Sequence, residues 1–266
     1  MALVKPKVII LFLRFGPSKT EHCIEILKRL EVYDPSRFIC IENDFHFSEE
    51  PGPGIFLKGN NQSREFSGWN VGLEWIAANM PLENHDRLIF VNDTICKPET
   101  SVYLKRFHRS SFMKLTEYPI ILGHIDAYPR KVSFLGHPLK RWVRSNCLSM
   151  NYGTAKRLTP FGLPMGKAEI FGSTPKELFL QSAPLSEGYQ DYLREWMTGN
   201  RGRHPLGVSW YASAPIGEGN FQSVADKIHS ILCEHYLSVK AESLGIGLID
   251  FKFPLPFFKS VLQSLI

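Results

Sequence analysis

Short unbroken runs of apolar residues, each closed by a polar one, alternate in the first part of the chain with stretches whose apolar residues recur at helical spacing. Residues 7–15, 38–42 and 87–91 are runs of the first kind. Runs this short and continuous fit buried strands of a mostly parallel sheet, because helices cover both faces and no polar face is needed. A shorter run at 55–58, after the connection Pro51-Gly52-Pro53-Gly54, reads as a third strand in chain order. Between the strands, Cys23, Ile26, Leu27 and Leu30 predict an amphipathic helix over 18–32. Ser18 and Glu21 would open it as a capping box, with Pro17 just ahead. Leu73, Ile76, Ala77 and Met80 predict a second helix over 69–80. The resulting β-α-β-β-α-β order, without internal repeats, argues for an α/β fold with a Rossmann-like sheet.

Beyond residue 99 the periodicity loosens. A helix is expected over 102–115, a strand over 120–125, and a strand at 131–135 pairing with 146–150. Residues 160–220 are rich in Gly, Pro and Ser, with one helical stretch at 189–197. A long irregular segment inside a compact enzyme reads as a binding loop or lid. Phe221, Val224, Ala225, Ile228, Leu232 and Tyr236 mark a helix near 220–240. The expected organisation is one domain over residues 1–266, with a nucleotide-binding half to about 100 and an acceptor half from 101 to 250. The segment 251–266 is unusually apolar, with Phe258, Val261, Leu262 and Leu265 at i, i+3, i+4, i+7. It would dock on the domain, lie on a membrane surface, or lead into a further domain of a longer protein.

Composition changes this picture little. The net charge of +5 is mild for 266 residues and suits anionic partners such as nucleotide sugars, lipid surfaces or nucleic acid. Five cysteines, Cys23, Cys40, Cys96, Cys147 and Cys233, are widely spaced and include no C-x-x-C pair. That pattern argues for a reducing compartment and against a disulfide scaffold or zinc module. The apolar run 8–13 is too short for a signal peptide, and nothing approaches the roughly 20 apolar residues that span a bilayer. The expected location is the cytoplasm, including the inner face of the plasma membrane.

The richest stretch chemically is Leu88-Ile89-Phe90-Val91-Asn92-Asp93-Thr94, an apolar strand ending in a short polar triplet. In open α/β folds ligands collect at the carboxyl ends of such strands, where an Asp can hold a metal or a ligand hydroxyl. An Asx turn that merely redirects the chain is the plain alternative. Upstream lies Gly59-Asn60-Asn61-Gln62-Ser63-Arg64-Glu65-Phe66-Ser67-Gly68-Trp69-Asn70-Val71-Gly72-Leu73, and downstream Trp142-Val143-Arg144-Ser145-Asn146-Cys147-Leu148-Ser149-Met150 leads into a short helix at 153–158. In order and spacing, over roughly residues 5–160, these patches resemble GT-A-type glycosyltransferases. The likeness is to bacterial rhamnan-synthesis and related surface-polysaccharide transferases. The resemblance implies a GT-A-like fold, a Rossmann-like mixed sheet flanked by helices with an acceptor-side extension. It further implies a nucleotide-diphosphate sugar donor, with rhamnose favoured, inversion at the anomeric carbon, and a polysaccharide or lipid-linked glycan acceptor.

It also implies site residues. Asn60 and Asn61 match the Asn that touches nucleotide or sugar, and Glu65 the acidic residue that follows. A strand-ending turn and a helix N-terminal acid are their structural alternatives. Gly68 suits a helix start where backbone approaches a ligand, and Trp69 reads as core. The usual Asp-x-Asp is replaced by Asn92, Asp93 and Thr94, which leaves Asp93 as the single carboxylate for Mg²⁺ or Mn²⁺. If transfer is metal-independent, Arg14, Arg64 or Arg144 would neutralise the diphosphate. A general base is expected among Glu187, Asp191 and Glu195. His124 with Asp126 forms a second candidate pair, and His204 in Arg201-Gly202-Arg203-His204 is a candidate contact to a diphosphate-linked acceptor. The rival readings are a non-catalytic sugar-binding or scaffold domain and a nucleic-acid-binding module using Lys105-Arg106-Phe107-His108-Arg109. No nucleic-acid motif, P-loop, G-x-G-x-x-G, G-x-S-x-G or H-E-x-x-H supports another class.

Overall fold

The computed structural model describes residues 6–16, 19–44, 54–97, 100, 104, 117–199, 210 and 212–251. Ser18 of the expected capping box, the basic patch 105–109 with nearly all of the expected helix 102–115, the loop 201–204 with His204, and the tail 252–266 lie outside them.

Four strands, β1 (Val8–Arg14), β2 (Phe38–Glu42), β3 (Ile55–Lys58) and β4 (Arg87–Asn92), run parallel. The hairpin β5 (Ile120–Phe134) and β6 (His137–Asn151) follows, with β7 (Gly247–Asp250) last. They form one mixed sheet in the order β3-β2-β1-β4-β6-β5-β7. β6 lies antiparallel to β4, and β7 lies parallel to β5. This is the α/β sheet expected from the alternating runs, mixed as the resemblance implies. One pairing differs from expectation. Residues 131–135 do not face 146–150, because Leu135 and Gly136 turn the chain at positive φ and bring 131–134 opposite 137–140. Residues 147–151 pair instead with β4.

The chain divides into two compact units, one comprising Met1–Ile125, Val143–Phe161 and Lys240–Ile266, the other Asp126–Trp142 and Gly162–Val239. In the first, the alternation of side chains along β1 builds two apolar layers. Val8, Ile10 and Phe12 pack with Cys23, Ile26 and Leu27 of helix α1 (Thr20–Arg29). α1 begins after Lys19, which supplies no side-chain cap. Helix α2 (Glu65–Asn79) meets the alternate residues of β1. A Cβ on Gly68 would stand 2.1 Å from Leu13 Cδ1, and one on Gly72 would stand 2.6 Å from Leu11 Cδ2. Gly68 therefore answers to helix-on-sheet packing. Trp69 is core, edge-on to Phe66 and Phe90 at ring separations of 5.5 and 5.4 Å. A short helix α3 (Tyr152–Leu158) follows β6, with Asn151 accepting from the Thr154 N–H at 2.7 Å as its cap.

Arg87 is the anomaly of this core. It is fully buried at the start of β4, and among the described residues no hydrogen-bond partner meets any of its three guanidinium nitrogens. Burial pushes its pKa down to about 10, so it stays charged near neutral pH, and a buried charge without a partner among the described residues is destabilising. Arg87→Met, which keeps the volume and removes the charge, is expected to stabilise the protein by about 1–4 kcal/mol, read as a higher denaturant midpoint at unchanged slope.

The second unit gathers Tyr128, Val132, Phe134, Leu139 and Trp142 of the hairpin with helices α4 (Glu187–Thr198) and α5 (Phe221–Ser243). α4 contributes Tyr189, Tyr192, Leu193 and Met197, and α5 contributes Val224, Ala225, Ile228 and Leu232, as its period predicts. His235 is sealed inside. Its Nδ1 is hydrogen-bonded to the Tyr189 hydroxyl and its ring lies 4.2 Å from that of Trp142, while burial pushes its pKa down to about 3. Among the described residues no helix is long and apolar enough to cross a membrane.

Candidate functional site

The strand order fixes where a ligand would sit. From β1 the chain moves outward to β2 and β3, then returns to place β4 on the other side of β1. The carboxyl ends of β1 and β4 thus flank a topological switch point, where open α/β sheets form their binding crevice. Arg14 and Asn92 are the last residues of those two strands, and Leu13 is in register with Asn92.

Asn92 is a turn-maker. Its Oδ1 accepts from the Thr94 N–H at 3.0 Å and from the Thr94 hydroxyl at 2.5 Å, and its Nδ2 donates to the Ser145 carbonyl at 3.1 Å. Asn92 and Thr94 thereby start a 3-10 turn over Asp93–Cys96. Asp93 stands apart from this turn chemistry. Its carboxylate accepts the backbone N–H of Phe15, so it reaches across the crevice to the segment after β1. Burial raises its pKa above the usual carboxylate value, with Lys19 opposing that shift, Glu65 adding to it and Lys97 opposing it. Cys96 closes the turn with its Sγ 2.9 Å from that of Cys23 on α1, both as free thiols.

Arg14 is buried against Glu42, Nε to Oε2 at 2.7 Å, and its Nη1 donates to the Thr20 hydroxyl at 3.2 Å. The other oxygen of Glu42 accepts from the N–H groups of Gly16 at 3.1 Å and Asp44 at 2.9 Å. This ion pair ties together the exits of β1 and β2. Arg14 is therefore placed to stiffen the crevice, its charge already balanced by Glu42.

The loop between β3 and α2 is built around Asn43, which is fully buried. Its Oδ1 accepts from the Asn61 N–H at 3.1 Å, and its Nδ2 donates to Asn61 Oδ1 at 3.2 Å and to the Arg64 carbonyl at 2.9 Å. Asn61 and Arg64 have φ of 48° and 50°, a left-handed conformation that costs a non-glycine residue about 1–3 kcal/mol and clusters at functional sites. Asn60 forms an Asx turn to the Gln62 N–H at 3.2 Å and is exposed, as is Arg64. Glu65 opens α2 and accepts from the Ser145 hydroxyl at 2.6 Å, which joins this loop to β6 and, through the Ser145 carbonyl, to Asn92. Arg144 precedes Ser145 on β6 and is half-buried.

Asn60, Asn61, Arg64, Glu65, Asn92, Asp93, Thr94, Arg14 and Arg144 all belong to the first unit. Glu187, Asp191 and Glu195 belong to the second. They fall at i, i+4 and i+8 on α4, with Glu187 and Asp191 exposed and Glu195 half-buried. His124 is buried on β5 and Asp126 is half-buried, each in a different unit. Contributors that escaped sequence reasoning include Lys19, Glu42, Asn43 and Ser145. Glu42-Asn43-Asp44 closes a buried strand as Asn92-Asp93-Thr94 does, and that shared pattern was the signal available.

Among the described residues no group of three or more His, Cys, Asp or Glu gathers as a metal site. The donor set here is the Asp93 carboxylate, with Glu65 near enough to feel its charge. That set does not make an all-protein cage, but it fits a hydrated Mg²⁺-type ion, which binds through one or two carboxylates and substrate phosphates.

No protein-family model matches the chain, and no curated protein matches it in sequence. Among solved structures the chain superposes on a 4-diphosphocytidyl-2C-methyl-D-erythritol synthase with a TM-score of 0.41 and 15% identity, covering 59% of this chain and 79% of that one. It superposes on a mannosyltransferase from Pyrobaculum calidifontis in complex with GDP-Man and Mn²⁺ with a TM-score of 0.39 and 8% identity, covering 98% and 80%.

Proposed function

We propose that the protein is a glycosyltransferase that moves a sugar from a nucleoside-diphosphate donor to a glycan hydroxyl. The observation that supports this reading most is the position of Asp93. It is a partly buried carboxylate at the switch point, hydrogen-bonded across the crevice, with a strained polar loop and its exposed Arg64 belonging to the same unit. Such a site can hold a charged diphosphate at the strand ends, where charge develops as the bond to the sugar breaks.

In this reading Asn60, Asn61 and Arg64 contact the donor, and Lys19, Lys97 and Arg144 add positive charge around the diphosphate. Mg²⁺ or Mn²⁺, held by Asp93 with water completing its shell, would supply charge to the departing diphosphate. The general base that takes the acceptor hydroxyl proton, as that oxygen bonds to the anomeric carbon, is sought among Glu187, Asp191 and Glu195 on the motif resemblance alone. The nucleoside diphosphate leaves from the opposite face, with inversion. Rhamnose as the sugar, a bacterial polysaccharide or lipid-linked acceptor, and action at the inner face of the plasma membrane rest on the motif resemblance alone.

The reading is tested by thermal denaturation with nucleoside diphosphates and their sugars, each with Mg²⁺, Mn²⁺ or EDTA. A ligand at 100 times its Kd stabilises the folded state by about 2.7 kcal/mol, an easily measured rise in Tm. Stabilisation by one nucleotide class, strengthened by the metal, is expected. No shift with any nucleotide would remove the donor site and leave a scaffold or nucleic-acid role.

A further inference from the structure

We infer that Asn43 is a positioning residue for donor binding, holding the loop 59–64 in its strained, ligand-facing form; the inference rests on the donor-site reading above. The geometry leaves Asn43 one orientation. The Asn61 N–H can only donate and the Arg64 carbonyl can only accept, so Oδ1 must face the first and Nδ2 the second. Asn43 is in turn anchored by its own N–H on the Arg14 carbonyl at 3.0 Å, at the exit of β1. A single buried amide thus connects the crevice to both residues that hold positive φ, Asn61 and Arg64.

Gly59 is the other half of the device. Its N–H donates to the Glu42 carbonyl at 2.7 Å, which brings the loop so close that a Cβ on Gly59 would stand 2.1 Å from Asn43 Oδ1 and 3.1 Å from its Cγ. The next obstacle, the Glu42 carbonyl, is 3.2 Å away. Glycine is required at 59 chiefly because Asn43 is at 43. The two positions should therefore act as one unit, and that gives a test which general destabilisation does not mimic.

The experiment compares the parent, Asn43→Ala, Gly59→Ala and the double variant by calorimetric titration with GDP and with UDP, each with MnCl₂. Titrations are run at a temperature where circular dichroism shows every variant folded. Each single change is expected to weaken nucleotide binding about tenfold or more, equivalent to at least about 1.4 kcal/mol. The double variant is expected to be no weaker than Asn43→Ala alone, because the principal clash is gone. Unchanged Kd with lowered Tm, or strictly additive losses, would overturn the inference. If the parent binds neither GDP nor UDP, the titration has no readout and the donor reading is judged by the wider nucleotide screen above, while amide exchange still reads the device. Asn43→Ala should then expose the Asn61 amide while those of β1 and β2 keep their protection, and an unchanged Asn61 amide would overturn the inference.

Discussion

Asp93→Asn is expected to remove sugar transfer almost completely while leaving the protein slightly more stable than its parent. The two effects have one cause. Burial opposes ionisation of Asp93 more strongly than Lys19 and Lys97 favour it, so its pKa is raised. A carboxyl whose folded pKa lies above its unfolded value costs stability as pH rises through that window. Asparagine keeps the shape, retains an oxygen for the Phe15 N–H and removes the charge, so Tm should rise and stability should depend less on pH just above pH 4. The charge is what a metal ion bridging Asp93 to the diphosphate would need, and loss of one preorganised electrostatic group costs about 10²–10³-fold in kcat. Steady-state assays of nucleoside diphosphate release, paired with thermal melts, separate the outcomes. A variant that loses activity only because it melts, or that keeps full kcat, would exclude Asp93 from the chemistry. Higher stability with lost activity is the pattern of a site that accepts an unfavourable group for function.

The second large effect is in acid. His235 is held neutral in the second unit, its pKa lowered by burial to about 3 against an ordinary value near 6.5. Between those values the unfolded chain binds a proton that the folded chain refuses, so stability falls as pH drops from about 6.5 toward 3. The full difference corresponds to about 5 kcal/mol, comparable with the entire stability of many domains. His229, also lowered by burial, acts in the same direction. His235→Gln offers the Tyr189 hydroxyl a polar partner that does not titrate. Denaturant midpoints at pH 8 and pH 4.5 should differ much less for His235→Gln than for the parent, although the variant starts lower at pH 8. Parallel losses in both proteins would show that other groups dominate acid unfolding.

Much of the fold was legible because the first unit obeys local rules. β2 falls where its apolar run lies, since burial on both faces leaves no freedom to disguise the pattern, β3 follows as a half-buried edge strand, and in the second unit α5 falls where its period places it. The hairpin was not legible in the same way. Its turn is Leu135-Gly136, and the long strands beyond it carry polar residues such as Lys131, Lys140 and Arg141 that break any simple alternation. At the site, sequence pattern located the Asn92-Asp93-Thr94 strand end but not the division of labour within it. That division depends on which oxygen meets which N–H, and only the fold brings Phe15 and Ser145 to those atoms. Arg14 shows the same limit: a cation at a strand end looks available until Glu42 is found beside it.

The pairing of β7 with β5 sets a timetable for biosynthesis. Ile120 through Gly123 lie in register with Gly247 through Asp250, so one strand waits for a partner made much later along the chain. At about 5–20 residues per second the delay is on the order of ten seconds. Throughout it β5 carries an unsatisfied edge in a crowded cell, and unpaired edges recruit other chains. Yield in a heterologous host should therefore depend on what shields that nascent strand, a demand on chaperones that the finished protein no longer makes.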